Sequence, residues 1–141
     1  DRFGAMVMSS KALLSARADV FAPCALGGVL DVETVVQLRA PVVCGAANNQ
    51  LANDDMAVRL AERDVLYAPD FLVNAGGIIN VAGEYLGWNA SEVRQRVTNV
   101  GQRLKTTLAL AAREGMTPHD AARTIAMNRM AQARRVEAVA A

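Results

Sequence analysis

Three short apolar runs constrain this chain most. Ala18-Asp19-Val20-Phe21-Ala22-Pro23, Pro41-Val42-Val43-Cys44-Gly45 and Val65-Leu66-Tyr67-Ala68 each read as a short buried strand. They stand about 20 to 25 residues apart, with a helix-forming stretch in each gap, and such alternation builds parallel βαβ units. The second and third runs lead into small residues and amides: Gly45-Ala46-Ala47-Asn48-Asn49-Gln50 and Ala68-Pro69-Asp70-Phe71-Leu72-Val73-Asn74-Ala75-Gly76-Gly77. Open α/β sheets bind ligands at the carboxyl ends of their strands. Two amides at the ends of successive strands, Asn48 and Asn74, should therefore lie near each other. An asparagine there either forms a turn or donates and accepts toward a ligand at once, and the residues alone leave both readings open.

The 141 residues fit one domain, long enough to bury a real core. The net charge of +1 gives no electrostatic pointer to nucleic acid or a membrane surface. Cys24 and Cys44 lie at the ends of apolar runs and form no metal-ligand spacing, so no metal site is expected. They read as small buried thiols in a reducing, cytoplasmic setting. No apolar stretch is long enough to span a bilayer. The first residue is Asp1 rather than Met. Arg2 to Met8 reads as a helix end, a stop at Gly4 and a short strand. The expectation is a piece of a longer protein.

Helices are expected over Ser10–Ala16, from Asp31 through Leu38, and from an Asn53 or Asp54 cap to Arg63. Beyond Pro69 the pattern is all helical. One helix spans Gly76 to about Leu86, interrupted by Gly83. Asn89-Ala90-Ser91-Glu92 is a capping box, and the helix after it runs to Glu114 and stops at Gly115. Val93, Val97, Val100, Leu104 and Leu108 give it an apolar face. Thr117-Pro118 caps a last helix carrying Ala121, Ala122, Ile125, Ala126, Met130 and Ala133. Its final turns hold Arg129, Arg134 and Arg135, where cations suit the dipole.

No G-x-G-x-x-G run follows any strand, and there is no P-loop. By spacing this is at most the second half of a doubly wound sheet. His119, the only histidine, reads as a solvated residue in a helix's first turn, since a catalytic histidine needs an oriented partner. Asp54-Asp55 is explained by the helix dipole. Packing accounts for Tyr85 and Trp88. Ile78 and Val81 share one face of the helix after Asn74, as core or as the wall of an apolar pocket.

Ala22-Pro23-Cys24-Ala25-Leu26-Gly27-Gly28, Gly45 to Leu51, Tyr67 to Gly77 and Ile79-Asn80-Val81-Ala82 together resemble the Glu/Leu/Phe/Val dehydrogenase family, above all its branched-chain and phenylalanine members. The resemblance covers nearly the whole chain, in order. It implies an α/β fold: the second half of a Rossmann-like parallel sheet domain (about 1–70) followed by C-terminal helices (about 75–136). It also implies oxidative deamination of an L-amino acid to a 2-oxo acid with NAD as hydride acceptor, in a homo-oligomer. Under it, Cys24 and Ala25 meet the cofactor ribose. Ala47 and Asn48 lie beside the nicotinamide, Asn48 also contacts the substrate carboxylate, and Asn74 sits near the nicotinamide carboxamide. Ile78 and Val81 select the substrate side chain. Val81 stands where glutamate-specific members carry a small hydroxyl residue. A charged side chain would be left unpaired there, which points to an aliphatic, branched-chain substrate.

The family's two catalytic lysines and aspartate match nothing here; Lys11 and Lys105 fit neither lysine motif, so no catalytic residue is assigned. The glycine-rich phosphate turn and the acidic ribose-binding residue are also missing. This leaves two rivals: a non-enzymatic remnant in which the long amphipathic helix docks on a partner, and an unrelated nucleotide-binding module.

Overall fold

The computed structural model describes residues 2–140, with side-chain environments for residues 2–135. Its parallel sheet is small. β1 (Val42–Val43) pairs with β2 (Leu66–Tyr67) in the register Val42 to Leu66 and Val43 to Tyr67. On the other side of β1 the first apolar run joins only as a single parallel bridge, Phe21 to Val43. Phe21 N–H donates to Val42 O at 2.8 Å and Cys44 N–H donates to Phe21 O at 3.0 Å. The spatial order is therefore Phe21, β1, β2, with all three directions parallel. The first run falls short of a full strand: only Phe21 pairs with the sheet, and Val20 beside it is half exposed.

Local chemistry sets most helix ends. α1 (Ser10–Leu14) is capped by Ser9. Asp31 caps α2 (Val32–Gln37): its carboxylate accepts from Thr34 N–H at 2.8 Å, and Thr34 Oγ1 accepts from Asp31 N–H at 2.9 Å. Those bonds hold the Asp31 carboxyl below its ordinary value. α3 (Asp55–Glu62) puts Met56, Ala57 and Leu60 inward. The core gathers Leu14, Phe21, Leu30, Val35, Leu38, Val43, Met56, Leu60 and Tyr67 around the sheet.

Past Pro69, in the stretch expected to be helical, the chain first makes a separate four-residue helix, α4 (Asp70–Val73), which the sequence pattern does not delimit. α5 (Gly76–Leu86), α6 (Ala90–Glu114) and α7 (Pro118–Ala140) match the expected helices. Asn89 and Glu92 close the anticipated capping box on α6. Gly83 is in mid-helix because α6 comes too close for a larger residue; a Cβ there would meet Val93 Cγ2 at 2.7 Å. The expected face of α6 is the one turned inward: Val93, Val100, Leu104 and Leu108 are half-buried and Thr107 and Ala111 on the same stripe are buried, while Val97 is 40% exposed. On α7, Ala121 and Ala122 are buried as the pattern requires, but Met130 is half exposed. The strand expected near Met8 does not form. Val7 is 97% exposed, with no sheet edge beside it.

Among the described residues no helix is long and apolar enough to cross a membrane, and no cluster of His, Cys, Asp and Glu could hold a metal ion.

Candidate active site at the sheet edge

The two asparagines meet. Asn48 follows β1 in the turn over residues 44–50; Asn74 caps the end of α4, just before α5 begins. Asn74 Nδ2 donates to Asn48 Oδ1 at 2.6 Å and, at 3.5 Å, to Ala47 O. The second contact fixes which way both amides point. Exchanging N and O on Asn74 would set its oxygen against the Ala47 carbonyl, two acceptors with no proton between them. So Asn48 presents an NH2 donor and Asn74 a carbonyl acceptor, and neither of these atoms has a partner among the described residues.

Small residues bring the strand ends together around this pair. Ala47 N–H donates to Pro23 O at 2.9 Å, and Ala46 N–H reaches Cys24 Sγ at 3.5 Å. Gly45 packs against Pro23 so closely that a Cβ would lie 2.1 Å from Pro23 O. Cys24 and Ala25 stay exposed on the neighbouring loop, while Ala47 is buried under the amide pair. The sheet edge thus brings together Cys24, Ala25, Ala47, Asn48 and Asn74.

Ile78 and Val81 stand four and seven residues past Asn74 on α5, 67% and 59% exposed. They are not core; they offer an uncovered apolar wall.

Three residues beneath the turn lie within the motifs quoted from the sequence, which gave them no role. Gln50, fully buried, donates from Nε2 to Gly45 O at 2.8 Å and to Ala47 O at 2.9 Å. Its backbone N–H donates to Asp70 Oδ2 at 3.2 Å, and Tyr67 Oη donates to Asp70 Oδ1 at 3.0 Å. Burial pushes the Tyr67 phenol far above its ordinary value, so it remains a donor across the physiological range. The one available clue was a tyrosine and an acid three apart around a proline at a strand end.

Four expectations from the sequence are corrected. His119 is buried, 7% exposed: its ring packs edge-on to Phe71 at 5.4 Å, and Nε2 lies 3.4 Å from Asp54 Oδ1 without hydrogen-bond alignment. Asp54 is not simply an acid at a helix start. It makes no capping bond and pairs with Arg123 on α7. Tyr85 is 90% exposed rather than packed, whereas Trp88 is partly covered by the Arg96 guanidinium, 3.7 Å above its ring. Cys24 is exposed and Cys44 half-buried, because the turn after each strand carries them to the rim.

The edge fits part of a nicotinamide dinucleotide. An unpartnered donor and an unpartnered acceptor stand side by side over a bed of alanine, which suits a carboxylate and a planar carboxamide. For the phosphates the sequence supplies no glycine-rich turn.

Similarity to known proteins bears on these features. The family model for Glutamate/Leucine/Phenylalanine/Valine dehydrogenase matches residues 2–137. The chain is 40% identical over 134 residues to L-tryptophan dehydrogenase of Nostoc punctiforme, covering 94% of this chain and 38% of that protein. It is 50% identical over 119 residues to valine dehydrogenase of Streptomyces albus, covering 82% and 32%. Among solved structures, the Nostoc punctiforme L-tryptophan dehydrogenase superposes with a TM-score of 0.89 over 95% of this chain and 41% of that one. A glutamate dehydrogenase from Thermus thermophilus superposes with a TM-score of 0.77 at 26% identity, over 95% and 34%. The chain therefore spans under half the length of the relatives it matches. An unrelated nucleotide-binding module is ruled out: the chain belongs to the Glutamate/Leucine/Phenylalanine/Valine dehydrogenase family.

Proposed function

We propose that this chain is the C-terminal part of an NAD-dependent dehydrogenase that converts an aliphatic, branched-chain L-amino acid to its 2-oxo acid with release of ammonia. The observation that carries the reading is the polarity of the amide pair. Asn48 offers its NH2 group to a substrate carboxylate, and Asn74 offers its oxygen to the amide N–H of a carboxamide. A bound nicotinamide supplies the hydride acceptor. Around it this chain positions and selects: Cys24 and Ala25 border the ribose, Ala47 gives a flat floor, and Ile78 and Val81 wall the side-chain pocket.

The substrate follows from that wall. The named relatives divide between tryptophan and valine. Two branched residues on one face of α5 narrow a pocket and offer no partner to a charged side chain, which supports valine, leucine or isoleucine over glutamate or the large aromatics. The proton-transfer residues lie outside these 141 residues in this reading, as do the groups that cradle the cofactor phosphates. Assembly of several copies in the cytoplasm belongs to the same proposal; the Thermus glutamate dehydrogenase is described as hetero-hexameric.

The test is Asn48→Ala in the full-length protein, with NADH formation followed on L-valine, L-leucine, L-phenylalanine, L-tryptophan and L-glutamate. Losing one donor to a charged group should raise KM for the amino acid by roughly 10- to 100-fold. Unchanged kinetics, or a parent enzyme that prefers glutamate, would refute the assignment.

A further inference from the structure

We propose that Gln50 is a positioning residue that sets the polarity of the Asn48–Asn74 pair, with Tyr67 and Asp70 as its anchor. Its effect on kinetics rests on the role proposed for Asn48; its effect on the amides does not.

The primary amide of Gln50 has two N–H groups, and each goes to a different carbonyl of the same turn, Gly45 O and Ala47 O. This draws the Ala47 carbonyl to the point where Asn74 Nδ2 also reaches it. A carbonyl oxygen has two lone pairs, and here Gln50 takes one and Asn74 the other. The Ala47 oxygen is what forbids the flipped arrangement of Asn74, and Asn74 in turn dictates the orientation of Asn48. Gln50 thus decides, through one shared oxygen, that a donor rather than an acceptor faces the ligand.

Energetics speak against a packing role for this side chain. Its Oε1 is buried without a hydrogen-bond partner, and an unpaired polar atom in the interior is costly. A methionine would fill the same length with no such penalty. What the glutamine adds is its pair of donors. Its backbone is pinned from the far side, since Gln50 N–H donates to Asp70 Oδ2. The Tyr67 hydroxyl donates to Asp70 Oδ1 and accepts from Asp70 N–H at 3.2 Å. That ring of bonds ties the end of the turn after β1 to the start of α4, which carries Asn74 at its other end.

The experiment has two readouts on Gln50→Met, which keeps the length and removes both donors. In the 141-residue chain, the Asn48 and Asn74 side-chain amide signals are followed by nitrogen-15 NMR. Exchange of the Asn74 NH2 group with water should speed up by about tenfold, as expected for losing one hydrogen bond's worth of restraint, and the Asn48 signal should shift with it. In the full-length protein, KM for the 2-oxo acid should rise by about five- to tenfold while kcat changes far less. Leu60→Ala, a core truncation in α3, is the control: it should lower thermal stability and move neither readout. Unchanged amide signals in folded Gln50→Met overturn the proposal. If that variant does not fold, Tyr67→Phe, which removes one hydroxyl from the anchor, decides on the same signals, and no change there overturns it equally. If the signals move while Asn48→Ala and Gln50→Met both leave KM unchanged, the positioning stands and the proposed role of Asn48 falls.

Discussion

Gly45→Ala should unfold the sheet edge by steric force alone. The added methyl would sit 2.1 Å from Pro23 O, 2.5 Å from Pro23 N and 2.6 Å from Pro23 Cδ. All three atoms belong to backbone or a rigid ring, so no rotamer change relieves the clash. To reach ordinary contact the two segments must separate by more than 1 Å, roughly a quarter of a normal strand spacing. Such a shift breaks the bonds on either side, Cys44 N–H to Phe21 O at 3.0 Å and Ala47 N–H to Pro23 O at 2.9 Å. Two hydrogen bonds at about 1 kcal/mol each, with overpacking strain of about 1–3 kcal/mol, give a loss of about 3–5 kcal/mol. That is a large part of the whole stability of a typical domain. Urea denaturation followed by circular dichroism reads the change directly. Gly77→Ala is the matched control, because a Cβ there meets nothing within 4 Å and α5 gains a better helix former. A Gly45→Ala chain within 1 kcal/mol of the parent would show that the approach of Pro23 to Gly45 is not as drawn.

Further outcomes can be checked independently. The purified 141-residue chain should form no NADH with any of the five amino acids under a spectrophotometric assay at mildly alkaline pH; turnover would place acid–base chemistry among these residues. Asp31 has a folded value held below its ordinary 3.8 by its bonds to Thr34. It therefore contributes stability that is present above the unfolded value and is lost as pH falls through the folded one, the sense expected of a lowered carboxyl. Carbon-13 titration of the side chain should show the low midpoint, and Thr34→Ala should raise it. Val81→Thr, close in volume, should weaken turnover of valine and leucine about 3- to 10-fold by placing a hydroxyl in the apolar wall, measured as kcat/KM in the full-length protein. Asn89→Ala should cost α6 about 1 kcal/mol through loss of its cap, seen as a lowered Tm.

Much of this fold was legible because its signals are local. The Asp31 and Asn89 caps and the stops at Leu86 and Glu114 each depend on residues within a few positions of one another; the amide pair, 26 positions apart, was legible only because successive parallel strands end on one edge. Other features that depend on distant partners were not. The burial of His119 needs Phe71 and Asp54, both far back in the chain. No periodicity announces that the first turn of α7 will land on them. Gln50 was equally silent, since a glutamine after two asparagines reads as loop until its two donors find Gly45 and Ala47. Val7 and Tyr85 erred the other way. Apolar character predicts burial only when something covers it, and among the described residues nothing does.

The pairing of Asp54 with Arg123 joins residues 69 positions apart. Loop closure over such a span is slow relative to the formation of a helix. During synthesis Arg123 leaves the ribosome after the sheet and its flanking helices have emerged, because chains are made from the N-terminus. The strand layer is therefore made before the last helix arrives to set Arg123 beside Asp54 and the His119 ring against Phe71. The order of assembly is written into a contact that no local part of the chain can make alone.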